Sequence, residues 1–232
     1  MSRPDAASGA GRALGPALVT GAGRGIGRAV ALRLARAGTD LALTALEADE
    51  LDTVADEVRA LGRRCHTAAI DVADPDALQR FVEDARDALG APGIVVSNAG
   101  TILLPDDVAH ADAARWDRTV DVNARAAYLL AGATVPDMVQ RDRGRFIAVA
   151  STAGLRGLPE RLAYVASKHA LVGLVRSLAE ELRTVAPGVS VNAVCPGAVR
   201  TRLTEGSRPD DPRVGWHDPD DVAATVAWLA SD

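Results

Sequence analysis

Short apolar runs alternate with amphipathic stretches along this chain, and the alternation predicts strands and helices in turn. Runs rich in Val, Leu, Ile and Ala predict six strands, at 17–20, 41–44, 65–72, 94–97, 145–150 and 189–194. Apolar residues at helical spacing predict helices at about 26–37, 51–61, 75–89, 116–130, 162–185 and 219–229. This order indicates an α/β protein with a parallel sheet that is buried on both faces.

The length of 232 residues fits one domain with a sizeable core. The first residues mix Arg, Asp, Gly and Ser without the apolar core of a signal peptide, so we expect a disordered tail at 1–14 and one domain at 15–232. No apolar run reaches the ~18 to 20 residues that a membrane span needs, so we expect no membrane partner.

Composition narrows the partners of this domain. Acidic residues outnumber basic ones, 31 to 26, without a basic block, which argues against a nucleic-acid partner. Cys65 and Cys195 form no C-x-x-C pair and the histidines lack metal-ligand spacing, so we expect neither a disulfide framework nor a bound metal. These features predict a cytoplasmic protein whose partner is a small molecule.

Lysine is scarce in this chain. Of its 26 basic residues, 25 are Arg, and Lys168 is the single lysine. An ammonium is a compact charge whose pKa responds to its surroundings, whereas a guanidinium stays charged. We therefore expect Lys168 to do something that an arginine cannot.

A glycine-rich turn, at 20–27, joins the first predicted strand to the first predicted helix. Free N–H groups and the helix dipole attract phosphate at such a turn, and glycine lets the backbone approach it closely. The spacing T-G-x-x-x-G-x-G differs from the G-x-G-x-x-G of long dehydrogenases, and no P-loop Lys follows. The turn predicts a nucleotide site, with a plain tight turn as the alternative.

Tyr164 and Lys168 stand four residues apart on a predicted helix, so both side chains emerge on one face. A positive charge beside a phenol lowers its pKa from ~10, which makes the hydroxyl a general acid and base. Ser151 follows the fifth predicted strand, where it can donate a hydrogen bond to a substrate oxygen. An exposed pair without a role is the alternative. A Ser-His-Asp hydrolase is disfavoured, because Ser151 lies outside any G-x-S-x-G.

These residues resemble the short-chain dehydrogenase/reductase family in its single-domain branch, over nearly the whole chain. The residues that match its cofactor motifs are Thr20, Gly21, Gly23, Arg24, Gly25, Ile26, Gly27, Asp71, Val72, Asn98, Ala99, Gly100, Tyr164, Lys168, Pro196, Gly197, Val199 and Thr201. The residues that match its catalytic tetrad are Asn123, Ser151, Tyr164 and Lys168. The resemblance implies a Rossmann-type, doubly wound parallel sheet in three layers, with six or seven strands.

The resemblance also implies hydride transfer between a nicotinamide and a ketone or secondary alcohol, most like that of the 3-oxoacyl thioester reductases. Tyr164 would pass its proton to the forming alkoxide, and Ser151 would hold the substrate oxygen. Lys168 would bind the ribose hydroxyls and lower the pKa of the phenol. Asn123 would keep a water in the proton relay. Residues 71–72 would contact the adenine, and residues 196–201 the nicotinamide carboxamide.

The choice of dinucleotide rests on positions near the end of the second strand. The family's selective Asp or Arg is replaced by Ala45 and Leu46, and Glu47 comes next and can bond a ribose 2′-hydroxyl. Arg24 resembles the arginine that pairs with the 2′-phosphate of NADP in many members, and a guanidinium fork binds phosphate strongly. We expect NADP(H) to be favoured over NAD(H).

Two features depart from the family's pattern. Related chains usually continue past the residues at 229–232 and add a seventh strand, which we expect to be missing here, leaving a sheet edge open. The segment at about 201–218, where a substrate lid is expected, is short and polar, so a surface loop without a role is the alternative.

Taken together, the motifs predict an NAD(P)(H)-dependent oxidoreductase of the short-chain class, with a 3-oxoacyl thioester as candidate substrate. Two alternatives stay open. One is a cofactor sensor or scaffold of the same fold without turnover. The other is a nucleotide-sugar epimerase, which usually needs G-x-x-G-x-x-G spacing and a larger substrate domain. By the same resemblance the chain is expected to form a homodimer or homotetramer.

Overall fold

The computed structural model describes residues 14–205 and 215–231, and strands alternate with helices along them. One parallel sheet contains β1 (Ala17–Thr20), β2 (Leu41–Ala45), β3 (Cys65–Ala69), β4 (Ile94–Ser97), β5 (Gly144–Val149) and β6 (Val189–Val194). Their spatial order is β3-β2-β1-β4-β5-β6, and every neighbouring pair is parallel. The order reverses between β1 and β4, where an open α/β sheet offers a crevice for ligands.

Helices cover both faces of this sheet. They are α1 (Gly25–Arg36), α2 (Ala48–Ala60), α3 (Pro75–Leu89), α4 (Ala113–Val120), α5 (Ala126–Gln140), α6 (Leu162–Val185) and α7 (Pro219–Leu229). Strand side chains alternate between two buried clusters: Leu18 and Val95 pack with α3, α5 and α6, whereas Val19 and Val96 pack with α1, α2 and α7. The predicted three-layered, doubly wound arrangement is confirmed.

Helix ends follow local chemistry that the sequence displays. Asp74 caps α3, because its carboxylate accepts hydrogen bonds from the N–H groups of Asp76 and Ala77, and Pro75 occupies the first helical position. Gly38 follows α1 with a φ of +94°, in the left-handed region that glycine adopts without a steric cost. The residue types at these two positions therefore account for the start of α3 and the end of α1.

The helix predicted at 116–130 is longer than expected and is interrupted. A π-helical turn, Asp121–Arg125, joins α4 to α5, and α5 continues to Gln140. A π turn adds one residue to a single turn of helix, and the regular apolar spacing on either side does not reveal it. The interruption places Asn123 in the interior, where it is 1% exposed.

Three strands differ slightly from their predicted bounds. β3 ends at Ala69 and not at residue 72, because its partner β2 ends at Ala45 and only the N–H of Ile70 bonds beyond that pair. β2 is one residue longer than predicted, and β5 lies one residue earlier. β1, β4 and β6 have their predicted bounds.

The region near the predicted substrate loop contains a second sheet that was not expected. It pairs β7 (Ala198–Val199) with β8 (Trp216–His217), and a 3-10 turn, Arg202–Thr204, follows β7. Half of the loop at 201–218, residues 206–214, and nearly all of the tail at 1–14 lie outside the described residues. Within residues 14–205 and 215–231 the main sheet has six strands, so no seventh strand lies beside β6 there. None of the helices in that part of the chain could span a lipid bilayer.

Candidate active site

A cleft of about 550 Å³ opens at the carboxyl ends of the central strands. The residues with predicted roles that line it are Gly21, Gly23, Arg24, Gly25, Ile26, Asp71, Val72, Asn98, Ala99, Gly100, Ser151, Tyr164, Lys168, Pro196, Gly197, Val199 and Thr201. Thr20, Gly27 and Asn123 are not among the lining residues, although they also have predicted roles. These three residues instead contact residues that line the cleft, as described below.

The glycine turn forms one end of the cleft and packs closely against the chain after β4. Gly21 has a φ of +63°, and a Cβ there would lie 2.9 Å from Cα of Ala99. A Cβ on Gly27 would lie 2.1 Å from the carbonyl oxygen of Gly21. Helix α1 has no acidic residue in its first turn and no side-chain cap, so its first N–H groups are left for a ligand. The turn fits the pyrophosphate of a dinucleotide.

Thr20 and Asn98 fasten the end of β4 to this turn. Oγ1 of Thr20 accepts hydrogen bonds from the N–H groups of Asn98 and Ala99, at 3.0 and 3.1 Å. Nδ2 of Asn98 donates to the carbonyls of Thr20 and Gly21, at 2.9 and 3.1 Å. Both side chains therefore bond protein backbone and fix the shape of the cofactor cradle.

Lys168 is buried in the wall of the cleft, with 3% of the residue exposed. Its Nζ donates to the carbonyl of Val149 at 3.1 Å and lies 5.8 Å from the ring centre of Tyr164. Burial lowers the pKa of Lys168 to about 8, although the nearby Cys195 acts in the opposite direction. The single lysine of the chain is thus a buried amine that can gain and lose its proton near neutral pH.

Tyr164 lies in the first turn of α6, and both Tyr164 and Ser151 line the cleft. Burial raises the pKa of Tyr164, and the nearby Ser151 side chain and the charge of Arg161 offset only part of that rise. The pKa below the ordinary value that was expected from the charge of Lys168 is not found in this structure, because desolvation of the phenol outweighs the groups that lower its pKa. At neutral pH the phenol therefore carries its proton.

Asn123 joins the segment after β4 to α6. Its Oδ1 accepts from the N–H of Thr101 at 2.7 Å, and its Nδ2 donates to the Thr101 carbonyl at 2.9 Å and to Oγ of Ser167 at 3.0 Å. A Cβ on Gly100 would lie 3.4 Å from Oδ1 of Asn123 and 3.5 Å from Nζ of Lys168. The side chain of Asn123 is occupied by protein contacts, and its part in a water relay stays a prediction.

Charged residues meet where the glycine turn faces α2. Nη1 of Arg24 donates to both carboxylate oxygens of Glu50 at 2.9 Å, and Nη2 lies 3.8 Å from Glu47. Arg202, in the 3-10 turn after β7, donates to the same Glu50 at 3.3 Å. Arg24, expected to pair with a 2′-phosphate, is thus bonded to Glu50. The role of Glu50 was not predicted, because only the packing of α2 beside the turn brings the two residues together.

Asp71, predicted to contact the adenine, lies on the rim of the cleft as a charged group. Burial would raise its pKa, but hydrogen bonds from Nη1 of Arg118, at 2.6 Å, and from the N–H of Ala73 hold that pKa below its usual value. Arg118 also lines the cleft, and this position was not predicted from the sequence.

Asp106, which is 8% exposed, is a buried residue of the site that was not predicted from the sequence. Its Oδ1 and Oδ2 accept hydrogen bonds from the N–H groups of Ala163 and Tyr164, at 3.0 and 3.2 Å. One signal was available: Arg161 precedes α6, where Ser, Thr, Asp or Asn is usual, and it makes no side-chain cap. A helix without a local cap needs acceptors from elsewhere in the chain.

A glycine turn at the switch point of a parallel sheet, beside a Ser–Tyr–Lys cluster, defines a dinucleotide-dependent oxidoreductase. Comparison with known families agrees: the model described as short chain dehydrogenase matches residues 16–212. The chain belongs to this family, and it is an NAD(P)-dependent oxidoreductase that transfers hydride between a nicotinamide and a ketone or secondary alcohol.

Two curated relatives cover most of the chain. The 2-dehydro-3-deoxy-D-gluconate 5-dehydrogenase of Pseudoalteromonas atlantica is 37% identical over 227 residues, which are 93% of this chain and 88% of that protein. The D-beta-hydroxybutyrate dehydrogenase of Rhizobium meliloti is 36% identical over 200 residues, which are 85% of this chain and 76% of that protein.

Solved structures of the family agree with the fold. A metagenomic short-chain oxidoreductase in complex with NADP has 35% identity and a TM-score of 0.82, over 95% of this chain and 91% of that one. The carveol dehydrogenase of Mycobacterium avium in complex with NAD has 30% identity and a TM-score of 0.86, over 95% and 92%. Neighbours of this chain therefore include complexes with either dinucleotide.

The close packing of Gly27 against Gly21 predicts that Gly27→Ala weakens cofactor binding. The new Cβ would meet the Gly21 carbonyl, so the turn must open, and we expect the affinity for NADPH and NADH to fall about tenfold or more. Quenching of tryptophan fluorescence measures this affinity. Gly132→Ala, in α5, is the control, because its Cβ would have no atom within 4 Å. Equal affinity in both variants would contradict the close approach described here.

Proposed function

We propose that this chain reduces 3-oxoacyl thioesters with NADP(H), with Tyr164 as the proton donor. The observation that carries the proposal is that Ser151, Tyr164 and buried Lys168 line the same cleft as the glycine turn, with Nζ of Lys168 5.8 Å from the ring centre of Tyr164. The bound nicotinamide supplies the hydride that adds to the carbonyl carbon. The remaining requirements, which are a proton, an orienting hydrogen bond and a charge, fall to the residues of this chain.

Tyr164 is suited to donate that proton. Because burial raises its pKa, the phenol is protonated at neutral pH and is ready to act as an acid when charge develops on the substrate oxygen. Ser151 lines the same cleft, so a carbonyl oxygen bound between its hydroxyl and the phenol would accept a hydrogen bond from both. The proton moves from Oη of Tyr164 to the alkoxide oxygen as the alcohol forms.

Lys168 would act on Tyr164 and on the cofactor. Once the phenol has given up its proton, the ammonium 5.8 Å from its ring stabilises the phenolate. We propose that Nζ also binds the ribose hydroxyls, as a compact donor with hydrogens to spare beyond its bond to Val149. A pKa of about 8 lets the amine exchange protons at neutral pH, so it can help to restore the phenol.

The substrate class follows from the open side of the cleft and from a relative. Ile102, Leu104 and Leu203 line the cleft and offer apolar surface to an acyl chain. The name of the Rhizobium meliloti enzyme, D-beta-hydroxybutyrate dehydrogenase, places the reacting hydroxyl β to a carboxyl group. A 3-oxoacyl thioester has its ketone at the equivalent carbon, which makes it the substrate class that we propose.

Tyr164→Phe tests the proton donor. We expect kcat for NADPH-dependent reduction of acetoacetyl thioesters to fall about 100-fold or more, the size of a general-acid contribution, while cofactor affinity stays within about twofold. Tyr128→Phe is the control, because the other tyrosine of the chain is exposed on α5. If the unmodified chain binds NADPH but reduces no compound in a broad carbonyl panel, the proposal fails. A parallel loss of turnover and affinity in Tyr164→Phe would contradict the role given to its hydroxyl.

The preference for NADP(H) rests on two guanidinium groups that share one carboxylate. Arg24 and Arg202 both bond Glu50 at the edge of the cleft that faces α2. A 2′-phosphate carries more negative charge than a carboxylate and can replace Glu50 between the two arginines. Glu50 then competes with the phosphate and limits how strongly NADP(H) is preferred.

Glu50→Gln is therefore expected to strengthen NADPH binding relative to NADH. The gain should be roughly two- to fivefold, the size that exposed ion pairs give, and it should shrink as salt is added. Titrations with both dinucleotides measure the ratio. Glu57→Gln is the control, because it breaks a similar pair with Arg28 between α1 and α2 at residues that do not line the cleft. A weaker NADPH complex, or an equal change for both cofactors, would contradict the proposed competition.

We also propose that the chain assembles as a homodimer or homotetramer. Tyr128 on α5, and Leu162 and Val185 at the two ends of α6, are large apolar side chains that are exposed in the single chain. Packing two chains along these helices would remove that apolar surface from water.

A further inference from the structure

We infer that Asp106 is a positioning residue, which holds Tyr164 in register with the wall of the substrate cleft. The inference rests on the proposed role of Tyr164 as proton donor. It concerns a residue that touches neither substrate nor cofactor and acts through the backbone of α6. Three observations carry it: the bonds that Asp106 makes, the place from which it makes them, and the burial of its carboxylate.

Asp106 accepts the first three N–H groups of α6. Its carbonyl accepts from Leu162 at 3.0 Å, and its two carboxylate oxygens accept from Ala163 and Tyr164. The fourth N–H, that of Val165, bonds the carbonyl of Arg161 within the helix. A helix leaves its first N–H groups without an internal partner, so this one residue satisfies the helix start, including the N–H of Tyr164 itself.

The residue that caps α6 belongs to the segment at 101–106, which forms part of the wall of the cleft. Ile102 and Leu104 of this segment line the cleft, and its first residue, Thr101, is held by Asn123. Its last residue, Asp106, is held by α6. A cap from within α6 would fix the helix alone, whereas this cap fixes Tyr164 and the cleft wall to each other. The distance from the phenol to a bound substrate then depends on the bonds of Asp106.

A carboxylate suits this position better than an amide. Both oxygens of Asp106 are acceptors, and a negative charge at a helix N-terminus is stabilised by the helix dipole. An asparagine has one acceptor oxygen, and its NH₂ group would face an N–H group of α6. Asp106→Asn should therefore keep part of the function, and Asp106→Ala should lose more.

The test compares these two variants with a matched control. Asp107, the next residue, also accepts from backbone N–H groups, those of Ala109 and His110, but it caps only an exposed 3-10 turn at Val108–His110. We expect kcat to fall about 10- to 100-fold in Asp106→Ala, the size of a displaced catalytic group, with KM for NADPH within about twofold. Asp106→Asn should lie between it and the unmodified chain. Asp107→Ala should match the unmodified chain.

Amide hydrogen exchange supplies a readout that needs no turnover. In Asp106→Ala, or in Asp106→Asn if the alanine variant does not fold, exchange should rise at 162–164 and stay unchanged along the rest of α6. Unchanged kcat in a folded Asp106 variant would overturn the inference. Exchange that rises along all of α6, together with weaker cofactor binding, would also overturn it, because the residue would then serve general stability. If the unmodified chain reduces no carbonyl, the proposed function fails, while exchange at Tyr164 still decides whether Asp106 holds that residue.

Discussion

The geometry of the active site depends on the burial of the amine of Lys168 at the end of β5. Nζ of Lys168, on α6, donates to the carbonyl of Val149 at the end of β5 and lies 5.8 Å from the ring centre of Tyr164, one helical turn earlier. Removing an ammonium from water is costly, and the depressed pKa of Lys168 records that cost. Gly154, in the turn after β5, lets α6 pack closely at this point, because a Cβ there would lie 2.7 Å from the carbonyl oxygen of Lys168. Once α6 is seated in this way, Tyr164 and Ser151 meet at the cleft.

Short polar side chains that bond backbone hold the rest of the cleft in shape. Thr20 and Asn98 tie β4 to the glycine turn, Asn123 ties the segment after β4 to α6, and Asp106 ties the end of that segment to the first turn of α6. Each tie joins two elements that end at the same edge of the sheet. Preorganisation of this kind fixes the positions of donors before a substrate arrives, which is how electrostatic catalysis avoids reorganisation during the reaction.

Much of the fold was predictable because its signals are local. The alternation of apolar runs and helical spacing gave the six strands and the layers, and Asp74 and Gly38 marked helix ends. The π turn at Asn123 was not predictable, since it adds one residue to a helix whose apolar spacing continues on both sides. The short β7–β8 sheet was missed because two-residue strands have no detectable period.

The site was predictable in its residue types and less so in its partners. The glycine turn, Ser151, Tyr164 and Lys168 carry spacings that chemistry requires, and the structure brings them together around one cleft. Glu50 and Asp106 were missed because acidic residues are common along the chain. Only tertiary packing brings Glu50 to Arg24 in the glycine turn and Asp106 to the first turn of α6. The pKa of Tyr164 was misjudged because spacing reports a nearby charge but not the depth of burial, and burial decides its direction here.

The pKa of Lys168 is the most direct test of this account. Because the chain contains one lysine, ¹³C-labelled lysine gives a single ε-methylene signal, whose pH titration by NMR belongs to Lys168 alone. The structure predicts a pKa of about 8 in the protein without added cofactor. A titration near the ordinary lysine value of ~10.4 would mean that the amine is solvated, and the buried arrangement of Tyr164, Ser151 and Lys168 would be contradicted.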